Sequence, residues 1–247
     1  MTMLSSRLVF SALLAFSALS PVAAANFLDP ASIPITQILQ PPPQPGTAEY
    51  KTDLGFLKNA RATATKKQML RGFIASHDGV FDYAQTLGPW FNAKNLPVTA
   101  ALFSQVTADT KDAIEVAKHY FTRTRPESWK ETGSPEKSNG YAYPSGHTTR
   151  AFVWADLLAD ALPDLKKPLH LQARQKAWYR VILGRHFPAD VHAGKIYGQY
   201  LAKRFLSDPE FRKEWPAVVA ELQRARAKAM DNPPHPITQD APDSLKL

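Results

Sequence analysis

The chain has 247 residues, 30 lysines and arginines against 22 acidic residues, and no cysteine. Its 44% hydrophobic and 11% aromatic content is ordinary for a globular protein, which excludes a wholly disordered chain, a collagen-like repeat, a disulfide-stapled miniprotein and any thiol-based catalyst or zinc-thiolate site. The net charge of +8 admits an anionic partner without naming one.

Residues 1–25 read as a secretory signal peptide. Arg7 precedes an apolar run from Leu8 to Leu19, and Val22-Ala23-Ala24-Ala25 offers small residues to a signal peptidase, with cleavage expected before Asn26. The alternative is an uncleaved anchor, but Pro21 shortens the apolar stretch below the roughly 20 residues that span a bilayer. Cleavage takes Arg7 away and lowers the net charge by one. No later stretch approaches about 18 uninterrupted apolar residues, so no membrane span is expected afterwards. Export without cysteine points to a soluble bacterial protein, periplasmic or secreted.

Residues 26–46 are expected to form an extended, proline-rich strap, because the run from Gln40 to Gly46 suits neither helix nor inner strand. A helical domain is expected over 47–230. Thr47 is a candidate N-cap, with Glu49 in the first turn and Tyr50, Leu54, Leu57 and Ala60 at helical spacing. Met69, Phe73 and Ile74 predict a second helix over 67–75. Leu102, Val106, Ile114, Ala117 and Phe121 predict a long helix over 98–121, or two joined near 107–110. Residues 122–143, with Pro126, Gly133, Pro135 and Gly140, read as a long loop. Helices are predicted again over 148–162, 169–183, 190–206 and 212–230. The remainder, 231–247, carries four prolines and little to bury, and is expected to be an irregular tail. Strand-like alternation is scarce, and a single all-α domain is the simplest account.

Three patterns place anion-binding or proton-transfer groups at element boundaries. In Lys118-His-Tyr-Phe-Thr-Arg-Thr-Arg125-Pro126, Lys118 follows Ile114 by one helical turn and projects toward the apolar side, while Arg125 precedes a proline and must leave the helix. A solvated basic helix end would look the same. In Tyr143-Pro-Ser145-Gly146-His147-Thr148, the amides of Ser145, Gly146 and His147 are expected to be unpaired at a helix entrance, with the Ser145 hydroxyl as a further donor. The plainer reading is a serine N-cap. In Arg180-Val-Ile-Leu-Gly-Arg185-His186-Phe-Pro188-Ala-Asp190, a carboxylate in the first turn of a new helix can hold one nitrogen of His186 and leave the other as a nucleophile. A purely structural His–Asp bond is the alternative.

Taken together, the patterns supply what phosphoryl transfer needs: fixed positive charge, backbone donors, an imidazole nucleophile and an acid for the leaving oxygen. Arg123 and Arg185 neighbour motif residues and are expected to raise the local potential or hold a carboxylate such as Asp156. His77, His119, His170, His192 and His235 fit no pattern and read as structural or surface residues.

The order Lys-x6-Arg-Pro, Pro-Ser-Gly-His, Arg-x5-His-x3-Asp resembles the type 2 phosphatidic acid phosphatase superfamily. The exported form with its strap is similar to bacterial class A non-specific acid phosphatases. The resemblance implies an all-α fold of the acid phosphatase/vanadium haloperoxidase type. It assigns phosphate binding to Lys118, Arg125, Ser145, Gly146 and Arg180, nucleophilic attack to His186, orientation of that ring to Asp190, and protonation of the leaving group to His147. It implies small organic phosphate esters as substrates and no metal or other cofactor; an acidic optimum is expected because His147 must be protonated while His186 stays neutral, and a homo-oligomer is one possible state. The chain departs from the family pattern in two places: Tyr179 stands where serine is usual before Arg180, and Tyr141-Ala142 stand where Gly-Ser is usual before Tyr143.

The rival readings are a vanadium-dependent haloperoxidase, disfavoured by length, and a soluble lipid phosphatase. A non-enzymatic anion-binding or nucleic-acid-binding protein rests on net charge alone. Nucleic acid is not expected as a partner, since basic and aromatic residues are not interleaved.

Overall fold

Two threonines open the first long helices. Thr47 accepts from the Tyr50 amide at 3.2 Å and starts α2 (Ala48–Thr63). Thr65 and Gln68 cap each other reciprocally at the start of α3 (Lys66–Ile74). The computed structural model of the chain describes residues 26–77, 79–127 and 140–229. The expected signal segment, the middle of the long loop and the expected tail lie outside the described residues. Secondary structure among the described residues is entirely helical.

The strap is not extended throughout. Asp29 accepts from the Ala31 amide, and Pro30 sits at the first position of a 3-10 turn, Pro30–Ser32, where its missing N–H costs nothing. A single turn of helix, α1 (Ile35–Ile38), follows. The proline run beyond it has no helical turn as far as Gln44. Phe27, Leu28 and Leu39 are buried in the main core. The amides of Phe27 and Leu28 donate to the buried carboxylate of Asp109 at 2.7 and 3.3 Å, which ties the strap down.

After a short α4 (Ala84–Leu87) comes α5 (Pro97–Phe121), a single unbroken helix. The break considered near 107–110 does not occur. The Thr107 hydroxyl folds back to donate to the Phe103 carbonyl at 2.6 Å and accepts from the Trp154 indole at 3.2 Å, so its polar group is satisfied without a break in the helix. The start of α5 is capped from far along the chain, where Glu221 accepts from the Val98 and Thr99 amides at 3.1 and 2.8 Å.

Helix α6 (Gly146–Ala161) is buried on nearly every side and forms the centre of the molecule, packed among α5, α7 (Lys166–Ile182), α8 (Pro188–Ser207) and α9 (Pro209–Lys228). Two glycines bring α8 against α6. A Cβ at Gly194 would stand 2.8 Å from the Ser145 carbonyl oxygen, and one at Gly198 would stand 2.5 Å from that of Thr149. Only hydrogen fits at either place. This close approach brings the first turn of α8 alongside the entrance to α6. No helix among the described residues is long and apolar enough to cross a membrane.

Candidate active site

The first cluster forms where α5 ends. Lys118 is on the inner face, 8% exposed, and burial lowers its pKa while Glu115, 3.4 Å away, opposes that shift. Thr122 closes the helix in the left-handed region at φ 49°, an unfavourable place for a β-branched residue. Beyond this reversal Arg123 is buried and Arg125 half-buried. Arg125 donates from Nε to the Gly140 carbonyl at 3.0 Å and from Nη1 to the Arg185 carbonyl at 3.0 Å. The same Nη1 lies 3.1 Å from His186 Nε2.

At the entrance to α6, the Ser145 amide is not open to an anion as expected. It donates to the Asp190 carbonyl at 2.9 Å and stitches the loop to α8. Ser145 forms no side-chain cap to the helix, so the plain N-cap reading does not hold. Its hydroxyl oxygen accepts from Thr148 Oγ1 at 3.0 Å, which leaves its own hydrogen to donate elsewhere. The Gly146 amide opens the first turn of a helix whose early N–H groups have no partner within it. His147 Nε2 lies 3.1 Å from the Ser76 carbonyl, a contact that places the proton on Nε2. Enclosure by protein pushes the His147 imidazole well below its usual pKa, and the Arg180 and Arg150 guanidinium groups push the same way.

The third pattern spans the turn between α7 and α8. Arg180 is buried in the last turn of α7, and its carbonyl accepts from the Arg185 and His186 amides at 3.0 and 3.3 Å. Gly184, at φ 68°, permits that tight return. Arg180 Nη1 donates to the Ser76 hydroxyl at 2.8 Å, so Ser76 meets both Arg180 and His147. His186 is 1% exposed. Its Nε2 faces an obligate donor on Arg125 and must carry the lone pair, which puts the proton on Nδ1, 3.5 Å from Asp190 Oδ2. That distance is an ion-pair separation and too long for a hydrogen bond. Burial lowers the His186 pKa well below its usual value, reinforced by Arg125, Arg180, Lys118 and His147.

Asp190 is fully buried. It accepts from the Phe187 amide at 2.8 Å on Oδ2 and from Arg123 Nη1 at 2.6 Å on Oδ1. Burial pushes its carboxyl up to about 6, against the pull of Arg123. Arg123 does not hold Asp156, as was one expectation for it or Arg185; His170 does, at 2.7 Å. Arg123 instead bridges Asp190 and Asp53, with Nη2 2.8 Å from Asp53 Oδ2. Neither Asp53 nor Ser76 stands out in the sequence. Asp53 sits among the polar residues of an amphipathic helix, and Ser76 belongs to no motif. Tyr179, one of the two departures, is buried in a satellite core with Ala60, Trp178 and Val191. Ala142 is buried and donates from its amide to the Arg123 carbonyl at 2.8 Å, a bond that asks nothing of its side chain. His77, His119 and His192 are exposed.

The eight residues singled out by the motifs thus gather in one place. A groove of about 990 Å³ runs from Pro42 and Pro43 of the strap along Tyr50 and Leu54 of α2 to Arg125 and Phe187. It touches the cluster from the side, and neither histidine lines it.

The described residues, whose secondary structure is entirely helical, thus bring two histidines, a lysine and two arginines together at the entrance of a buried helix. Residues 96–214 match the family model for the PAP2 superfamily, and through this region the chain belongs to that superfamily. Among curated relatives, an acid phosphatase of Zymomonas mobilis is 28% identical over 77% of this chain and 76% of its own length. A non-specific acid phosphatase of Salmonella typhimurium is 31% identical over 57% of this chain and 59% of its own length, so the chain spans under two thirds of that relative. One from Providencia stuartii is 26% identical over 72% and 76%. Among solved structures, a transmembrane PAP2-type phosphatidylglycerolphosphate phosphatase from Bacillus subtilis matches with a TM-score of 0.46 and 21% identity, over 66% of this chain and 89% of that one.

Proposed function

We propose that this protein is an exported acid phosphatase that hydrolyses small phosphate monoesters through a phosphohistidine on His186. The observation that carries the proposal is the environment of that ring. One nitrogen faces the guanidinium of Arg125 with its lone pair, and the other faces a buried carboxylate. A phosphoryl group docked on Lys118, Arg125, Arg180, the Ser145 hydroxyl and the Gly146 amide would present phosphorus to Nε2. Attack forms the N–P bond as the P–O bond to the leaving group breaks, and protonated His147 gives its proton to the departing oxygen. Asp190 steadies the positive charge that the imidazole acquires. Water then attacks the phosphohistidine, with neutral His147 taking its proton, and inorganic phosphate departs.

An acidic optimum follows from the charges. With no anion bound, His147 is held well below its usual pKa by enclosure and two arginines. A phosphate dianion in their midst offsets that positive field, so the acid form is most populated when substrate arrives at low pH. The groove beside Arg125 offers leaving groups space instead of a shaped socket, in keeping with broad specificity. Export and a periplasmic setting rest on residues 1–25.

The decisive experiment is an acid-free quench of enzyme turning over a labelled phosphate ester. Wild type is expected to retain label and His186→Ala to retain none. Absence of label on wild type, or undiminished label on the variant, ends the proposal. A haloperoxidase would oxidise halide with peroxide and added vanadate, and a non-enzymatic anion binder would leave p-nitrophenyl phosphate untouched.

A further inference from the structure

The carboxylate behind His186 is itself held by Arg123, and Arg123 is held in turn by a residue from outside the region that matches the family. Asp53 lies in α2, more than forty residues before position 96, where that match begins. Its Oδ2 accepts from Arg123 Nη2 at 2.8 Å, and its Oδ1 accepts from the Ala189 amide at 2.9 Å, in the first turn of α8. Arg123 uses its other arm on Asp190 Oδ1, at 2.6 Å. Its guanidinium also lies over the Phe187 ring, 4.2 Å from the centroid. Asp53, Arg123, Asp190 and His186 are all at most 7% exposed.

The geometry points to Asp53 as a positioning residue for the nucleophile, acting through Arg123 and Asp190, so that the N-terminal helix α2 completes the site. This rests on the roles proposed above for His186 and Asp190. A guanidinium is a rigid planar fork, and fixing one arm fixes the other. With Asp53 in place, Arg123 has one orientation, in which Nη1 meets Oδ1 and leaves Oδ2 to the Phe187 amide and the side of His186 Nδ1. Without it, the freed Nη2 has only Asp190 within this buried group as a carboxylate partner. Arg123 then turns to grip both oxygens of Asp190 and draws Oδ2 away from the ring. The second hydrogen bond of Asp53, to Ala189, sets α2 against the same helix turn that carries Asp190. One carboxylate therefore aligns both the fork and the backbone on which its target sits.

A positioning role and a merely structural one differ in what a substitution moves. The phosphate-binding residues are untouched in Asp53→Asn, so kcat for p-nitrophenyl phosphate is expected to fall about tenfold or more while KM stays within about twofold. The same substitution in an Asp190→Asn background is expected to cost less than about twofold, because its route to the ring is already cut. Arg123→Lys, which keeps the charge but cannot bridge two carboxylates, is expected to reproduce the kcat loss and serves if Asp53→Asn does not fold. Thermal unfolding and active-site titration with vanadate report the folded fraction. The inference is overturned if kcat per folded site is unchanged in Asp53→Asn, or if its loss is equal in both backgrounds. If Asp190→Asn alone leaves kcat intact, it is the proposed function that fails.

Discussion

His186 has a carboxylate 3.5 Å from Nδ1 and a guanidinium 3.1 Å from Nε2, whereas His147 has a backbone carbonyl 3.1 Å from Nε2 and, beyond its burial, is influenced by the guanidinium groups of Arg180 and Arg150. Both imidazoles are held neutral well below the usual range, by burial first and arginines second. They differ in what each is prepared to do. The ring with the carboxylate can accept a permanent positive charge, as an attacking nitrogen must. The ring without one is ready to give up any proton it gains, as an acid must.

The sharpest way to break this contrast is to remove each ring in turn. His186→Ala is expected to lower kcat by more than about 10³-fold for every substrate, as removal of a covalent nucleophile does. His147→Ala is expected to cost about 10²–10⁴-fold with alkyl phosphates, which need a proton on the leaving oxygen. In kcat/KM, which reports the phosphorylation step alone, the loss with p-nitrophenyl phosphate should be much smaller, since that phenolate departs unaided. A substrate panel on both variants checks this, and equal losses across leaving groups for His147→Ala would contradict the division of labour.

The contrast also depends on how tightly α8 is pressed to α6. A methyl group at Gly198 would meet the Thr149 carbonyl at 2.5 Å, so Gly198→Ala is expected to destabilise the fold by about 1–3 kcal/mol, read from denaturant midpoints. Gly194→Ala pushes on the Ser145 carbonyl instead, beside the proposed phosphate site. It should lose phosphate affinity beyond what its loss of stability explains.

A milder perturbation is pH. Free His147 has its pKa lowered well below the usual value and is expected to gain a proton when phosphate binds, so binding should strengthen by up to about tenfold per unit of falling pH. Inhibition constants for inorganic phosphate measured across pH test this, with His147→Gln expected to flatten the dependence. Stability follows the same linkage. Two histidines with lowered folded pKa values let the unfolded chain bind protons that the native chain does not, so stability is lost as pH falls below about 6.5. Asp190, raised to about 6, works the other way: between 3.8 and about 6 it favours the folded state as pH falls. Asp190→Asn should therefore steepen the acid loss, and saturating phosphate should lessen it.

The smallest effect is expected at the turn that sends Arg123 inward. Thr122→Gly relieves a left-handed threonine but loosens the unfolded chain, and the two nearly cancel, leaving stability within about 1 kcal/mol of wild type. Retained kcat in this variant would show that the direction of the turn, and not the threonine side chain, serves the nucleophile.

Much of the site was legible because its residues fall in three short segments, each at the end of a helix with readable start and stop signals. Lys118 stands one turn from Ile114, Ser145 precedes a helix, and Asp190 follows Pro188. Spacing along a helix is a local property, so the side on which these groups project can be read without the fold. The open Ser145 amide that local spacing predicts does not occur, because its acceptor, the Asp190 carbonyl, is 45 residues away. Arg123 was flagged by its neighbours, but its partners were not.

By itself, then, the sequence determined the long helices and the residue types that gather at the entrance to α6. These rest on periodicity, caps and proline, which act over a few residues. Tertiary structure alone decided what those residues touch. The Gly194 and Gly198 contacts that clamp α8 to α6, the Glu221 cap on α5 and the Asp53–Arg123–Asp190 bridge all join groups distant in sequence. No local rule fixes such distances, because they follow from how buried surfaces pack and how each buried charge finds its partner.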